Sequence, residues 1–217
     1  MRTAVCLAGQ ARFISENADN ILHNLIKPTN ADVFCYFWDT EGENLEPKKA
    51  IEVFNPTSFL LETQKIFDTA AQEFVSSEYD FPSNRCQNLY SMHYSIFKAN
   101  SLKKAQEIEQ GFVYDCVIRS RTDIAFEEPF DFSEYNQDSD SIWLCNFDKS
   151  PAGGVACADL FAFSKSPQMD FYSSCFTNLP RLLAEHKHLF AETLLYNYLT
   201  PVHNLKLSKM RYTVVRH

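Results

Sequence analysis

Two short runs, TAVCLAG (Thr3–Gly9) and ADVFCYFWD (Ala31–Asp39), are apolar at nearly every position. A strand with one face in water alternates apolar and polar residues, whereas a strand covered on both faces does not. Between the two runs, Ile14, Ala18, Ile21, Leu22 and Leu25 recur at helical spacing, and Pro28 and Asn30 end the segment. Buried strand, helix, buried strand is a βαβ unit, which places the chain among α/β folds.

The same alternation continues downstream. A long helical pattern, Leu89 to Gln110, feeds into VYDCVIRSRTDIAF, and SIWLCNF and ACADLFAFSK follow as strands. A helix from Pro167, another over roughly Leu189 to Tyr198, and strand-like HNLKL and RYTVVRH complete the pattern. AIEVFNPTSFLLE reads as one or two short strands around Pro56, and Thr63 to Val75 as a helix. The spacing predicts an α/β sandwich with a mixed sheet. No repeat or linker divides the 217 residues, so one domain over 1–217 is expected, either whole or as the N-terminal part of a longer chain.

Charge narrows the partners. A net charge of -8 argues against nucleic acid, whose binding relies on clustered Lys and Arg. It leaves open a small anionic ligand held by a local group of arginines. No apolar run approaches the roughly 20 residues of a membrane span, and no signal-like segment opens the chain. The expectation is a soluble, cytoplasmic protein. Seven cysteines without a CxxC pair, several inside strand-like runs, read as buried thiols in a reducing compartment.

Ligands of parallel sheets gather beyond the carboxyl ends of the strands. The first strand ends in Gly9, Gln10 and Arg12, the second in Asp39, and the strand from Tyr114 in Arg119, Arg121 and Asp123. Gly9 permits close backbone approach, and Arg12 could clamp a phosphate with its planar fork; a tight turn with a surface arginine is the alternative. AGQAR is not GxGxxG, and there is no P-loop. An ionised Asp123 at the end of an apolar strand needs either a divalent cation or an ion pair with Arg121.

The blocks AVCLAGQARF, ADVFCYFWD, SMHYSIFKANSLKKA, YDCVIRSRTDIAF, ADLFAFSKSPQMDFY and ETLLYNYL together resemble a family of small GT-A-type nucleotide-sugar glycosyltransferases of large DNA viruses, including chlorella viruses, and some bacteria. The resemblance implies a GT-A-like three-layer sandwich with a mixed, mostly parallel sheet. It implies a metal-assisted transfer from a nucleoside-diphosphate sugar, UDP in the first instance, to a glycan acceptor. RTD, Arg121 to Asp123, stands where the family carries a metal-binding DxD, with the first Asp missing. Asp123 is then the expected ligand of Mn²⁺ or Mg²⁺, Arg121 contacts nucleotide or sugar, and Arg119 orients the strand end. Ala8, Gly9 and Arg12 are expected to line the nucleotide pocket, with Asp39 near base or ribose.

On the preceding helix, Tyr94, Ser95 and Lys98 come into view, and Lys98 could reach a diphosphate or remain solvated. Asp159 and Glu192 interrupt apolar runs and are the candidate catalytic carboxylates facing sugar or acceptor. His186 and His188 form an HKH pair that could ligate a metal but reads first as a solvated surface feature, and His217 is a late histidine left unassigned. With the DxD incomplete, a non-catalytic nucleotide-sugar or glycan-binding domain is the alternative function.

Overall fold

The computed structural model describes residues 1–40, 42, 44–69, 75, 78–135 and 140–216. Its centre is a seven-stranded sheet in the order β10-β6-β9-β4-β1-β2-β3. These strands are β1 (Thr3–Gly9), β2 (Asp32–Trp38), β3 (Ser58–Glu62), β4 (Cys116–Ser120), β6 (Ser141–Leu144), β9 (Phe161–Ser164) and β10 (Asn204–Leu207). β9 alone runs against its neighbours β4 and β6; every other pairing is parallel. β1 and β2 are buried along almost their whole length, as their unbroken apolar character requires.

Helices cover both faces. On one, α1 (Ile14–Ile21), its π-helical continuation Leu22–Ile26, the short α2 (Lys27–Thr29) and α3 (Pro47–Phe54) bury Ile14, Ile21, Leu25 and Phe54 against Val5, Leu7 and Phe37. On the other, α4 (Arg85–Gln110), α5 (Ser166–Ser173), α6 (Cys175–His186) and α7 (Ala191–Leu199) pack against Ala4, Cys6, Ala8, Phe34 and Tyr36. This is a three-layer α/β/α sandwich with a mostly parallel sheet. No described helix is long and apolar enough to cross a membrane. All seven cysteines are buried and free, and burial drives Cys6 up to about 12.

Three element readings change. AIEVF is helical: Pro47 pre-sets the first turn, Asn55 ends the helix in the left-handed conformation, and Pro47, Ala50 and Phe54 share a buried face. Residues 63–69 form no helix, and 70–74 lie outside the described residues. The helix expected from Pro167 is two, broken at Ser174, whose Oγ bonds both Phe171 O and Tyr198 Oη at 2.7 Å.

RTDIAF leaves the main sheet. Arg121 to Asp123 form a turn into β5 (Ile124–Phe126), which pairs antiparallel with β11 (Tyr212–Val214). A small hairpin of β7 (Phe147–Lys149) and β8 (Val155–Cys157) flanks the sheet.

Candidate functional site

The parallel strands β1, β2, β3 and β4 deliver their carboxyl ends to one edge of the sheet. Because β9 is reversed, its beginning lies at that same edge, with Phe161 paired to Ser120. A cleft of about 970 Å³ opens there, between these strand ends and the N-terminal half of α4. Ala8, Gly9, Gln10 and Arg12 line it from the β1 end, Trp38 and Thr40 from β2, Arg119 and Arg121 from β4, and Asp159 from the approach to β9. Arg85, Asn88, Ser91, Met92 and Ser95 face them from α4.

Gly9 has a φ of +109°, and a Cβ there would meet Ser95 Oγ at 3.7 Å. The glycine is therefore required by backbone conformation more than by space. Trp38 stacks on Tyr94 with ring centroids 5.7 Å apart. Tyr94 Oη in turn donates to Glu62 at 3.1 Å, as Tyr36 does at 2.6 Å, so Glu62 ties the two rings together.

Five of the lining residues are cationic, Arg12, Lys65, Arg85, Arg119 and Arg121, and one, Asp159, is anionic. Against a chain charge of -8, that is a local reversal of sign suited to an anion.

The turn carrying Arg121 is held from below by amides. Asn17 Nδ2 donates to Thr122 O and Ile124 O, both at 2.8 Å, and Asn20 and Asn24 bond the backbone of Phe126. From the other side Arg12 N donates to Thr122 Oγ1 at 2.9 Å, tying the end of β1 to the turn. Arg121 N reaches Leu160 O at 3.3 Å, which joins the turn to the start of β9.

Asp123 is 3% exposed. Arg121 Nε donates to its Oδ1 at 2.8 Å and Nη2 to its Oδ2, while Arg12 Nη1 lies 3.9 Å from Oδ2. A second cavity of about 430 Å³, bordered by Arg12, Arg121, Asp123, Leu160 and Val214 to Arg216, shares the two arginines with the main cleft. A divalent ion at Asp123 would have to displace Arg121, and the described residues offer no cluster of three His, Cys, Asp or Glu side chains. As folded, this donor set does not fit a divalent cation. His217 lies outside the described residues.

The structure thus brings Ala8, Gly9, Arg12, Arg121 and Asp159 to one cleft and Asp123 to the adjoining cavity. Asp39 is exposed at the end of β2 and does not line it, although its neighbours Trp38 and Thr40 do. Lys98 sits outside, with Nζ 5.9 Å from the Tyr94 ring. Glu192, in the first turn of α7, also lies away from the cleft; its carbonyl accepts from Cys157 Sγ at 3.7 Å. His188 is buried beside Tyr79 and Phe190, with its basicity lowered by burial and by His186.

Four cleft residues that sequence reasoning missed are Lys65, Arg85, Asn88 and Ser91. The last three recur at three-residue spacing along α4, and that period is the signal that could have found them.

The sequence matches no family profile and no curated protein. Among solved structures it is similar to the mannosyltransferase Ktr4p from S. cerevisiae, with a TM-score of 0.54 at 8% identity over 97% of this chain and 70% of that one. The chain therefore has a glycosyltransferase-like α/β fold.

Proposed function

We propose that the chain transfers a sugar from a nucleoside-diphosphate donor, with UDP-sugars the first class to test, to a hydroxyl of a glycan acceptor. The observation that carries this reading is the cationic cleft at the carboxyl edge of the sheet, where Arg12 and Arg121 stand side by side over a wall shared by two cavities. The likeness in fold to a mannosyltransferase supports it.

In this reading the diphosphate lies against Arg12 and Arg121, whose forks donate to phosphate oxygens. Thr40 and Gln64, beyond Trp38, meet base and ribose, and the sugar points toward Asp159. The acceptor oxygen bonds to the anomeric carbon as the bond from that carbon to the phosphate oxygen breaks. The electron pair leaves with the nucleoside diphosphate, and the acceptor hydroxyl's proton passes to water in the open cleft. Fixed guanidinium charge stabilises the departing diphosphate without reorganisation, and the shaped cleft orients the two reactants.

Incubating the protein with a panel of UDP-sugars and mixed oligosaccharide acceptors, and following UDP release and acceptor mass together, tests the proposal. A mass gain of one sugar per UDP released, lost in Arg121→Ala, is expected. Saturable donor binding with neither release nor mass gain would establish the binding-domain alternative instead.

A further inference from the structure

Arg119 occupies the floor of the cleft. It lies on β4, opposite Cys6 of β1 and Ala162 of β9, and is 3% exposed. Its Nε and Nη1 are buried without a hydrogen-bond partner, and it makes no ion pair with a described residue. A buried guanidinium left so is costly, and native cores rarely keep one without a partner. Its titratable surroundings include Asp159, at 6% exposure on the same cleft, and His93 and Tyr172; Arg121, which also acts on Asp159, is already paired with Asp123, so Arg119 is the cation left to a ligand there. Burial lowers His93 to about 4, so that ring is neutral, and burial raises Tyr172, so its hydroxyl keeps its proton. His93 Nε2 and Tyr172 Oη also lack partners. The floor therefore presents one cation, which only donates, and one carboxylate, which only accepts.

We propose that Arg119 and Asp159 form the donor-sugar subsite and select a neutral sugar with free adjacent hydroxyls. A hydroxyl both donates and accepts, so one can accept from Arg119 while its neighbour donates to Asp159. An acidic sugar would satisfy Arg119 but set a second carboxylate near Asp159, and an amino sugar would satisfy Asp159 but set a second cation near Arg119, whereas a pair of neutral hydroxyls satisfies both. This rests on the donor reading above, and it assigns Arg119 to the sugar, leaving the diphosphate to Arg12 and Arg121.

The test is a calorimetric comparison of UDP, UDP-glucose, UDP-galactose and UDP-glucuronate on the wild type, Arg119→Gln, Arg119→Lys and Asp159→Asn. The wild type is expected to bind at least one neutral UDP-hexose more tightly than UDP, and UDP-glucuronate no more tightly than UDP. Arg119→Gln and Asp159→Asn should each erase about 10- to 100-fold of that gain, the worth of one or two charge-assisted hydrogen bonds, while UDP affinity stays within about twofold. Arg119→Lys, which keeps the charge but not the fork, should fall between. Retained UDP binding shows that each variant is folded. A parallel loss of UDP affinity in Arg119→Gln would make Arg119 a phosphate ligand and overturn the assignment, as would a gain for glucuronate or for no sugar. Failure of the wild type to bind UDP would instead remove the donor reading itself.

Discussion

Arg121 and Asp123, two residues apart in the turn between β4 and β5, face each other through paired hydrogen bonds, Nε to Oδ1 at 2.8 Å and Nη2 to Oδ2. The turn thereby fixes the guanidinium at the junction of the two cavities, and the carboxylate that sequence alone offers to a metal is already partnered. Removing one member leaves the other uncompensated. Asp123→Ala should destabilise the fold by about 2 kcal/mol, less than the roughly 3–5 kcal/mol of a fully buried pair because the Arg121 side chain is 27% exposed. Calorimetric melting should show a Tm lower by roughly 4–8 °C, and an unchanged Tm would mean that the pair contributes nothing.

Asn17 supplies two donors to two carbonyls of that turn. Asn17→Ala should cost about 2–3 kcal/mol, and Asn17→Asp more, because a carboxylate would then face Thr122 O and Ile124 O. Both variants should also weaken UDP binding by loosening Arg121. If Asn17→Asp were as stable as the wild type, the amide would not be what holds the turn.

How much of this could be read in advance depended on burial. The strands β1 and β2 were legible because two-sided burial leaves an unbroken apolar run. Arg12, Arg121 and Asp159 were legible because each interrupts or ends such a run. AIEVF failed as a strand because five residues cannot separate the two periods, and Pro47 and Asn55, which decide for helix, lie outside it. Asn17, Asn20 and Asn24 went unremarked because polar residues on an amphipathic helix look like a solvated face. Here they serve a strand segment that has left the main sheet. Arg85 and Asn88 were hidden because α4 begins at Arg85, ahead of the apolar positions that mark a helix from Leu89, and Lys65 and Ser91 because each looks like a solvated polar residue. Asp39 adjoins the cleft in sequence, between Trp38 and Thr40, without lining it, and Lys98 and Glu192 lie away from it.

Lys103 is fully buried on α4, with Nζ 3.1 Å from Glu107 Oε2 and 2.6 Å from Asp170 Oδ1. Glu107 also accepts from Tyr114 N at 2.9 Å, so this group joins α4, α5 and the entry to β4. Lys103→Met should destabilise by about 3 kcal/mol, softened by Lys104, whose Nζ is 2.8 Å from Asp170 Oδ2. Denaturant unfolding measures this directly, and a neutral result would show that the carboxylates re-pair with Lys104 at no cost.

His93 ties stability to acidity. Burial lowers its folded value to about 4 from an ordinary 6.5, so the unfolded chain binds the extra proton between these limits. Its contribution is complete above pH 6.5 and is lost as pH falls toward 4, by roughly 3 kcal/mol in all. Unfolding free energies measured from pH 7 to 4 should fall less steeply in His93→Gln than in the wild type. Identical slopes would mean that His93 titrates normally.

On the proposed function, guanidinium groups at the sheet's carboxyl edge hold a nucleoside diphosphate. Calorimetric titration of UDP in EDTA, and again in Mn²⁺, on the wild type, Arg12→Ala, Arg121→Ala and Asp123→Ala tests it most directly. Saturable binding in EDTA that weakens about tenfold or more in each arginine variant is expected. Binding that requires Mn²⁺ and vanishes in Asp123→Ala would contradict the arginine clamp, and no binding under either condition would contradict the donor site altogether.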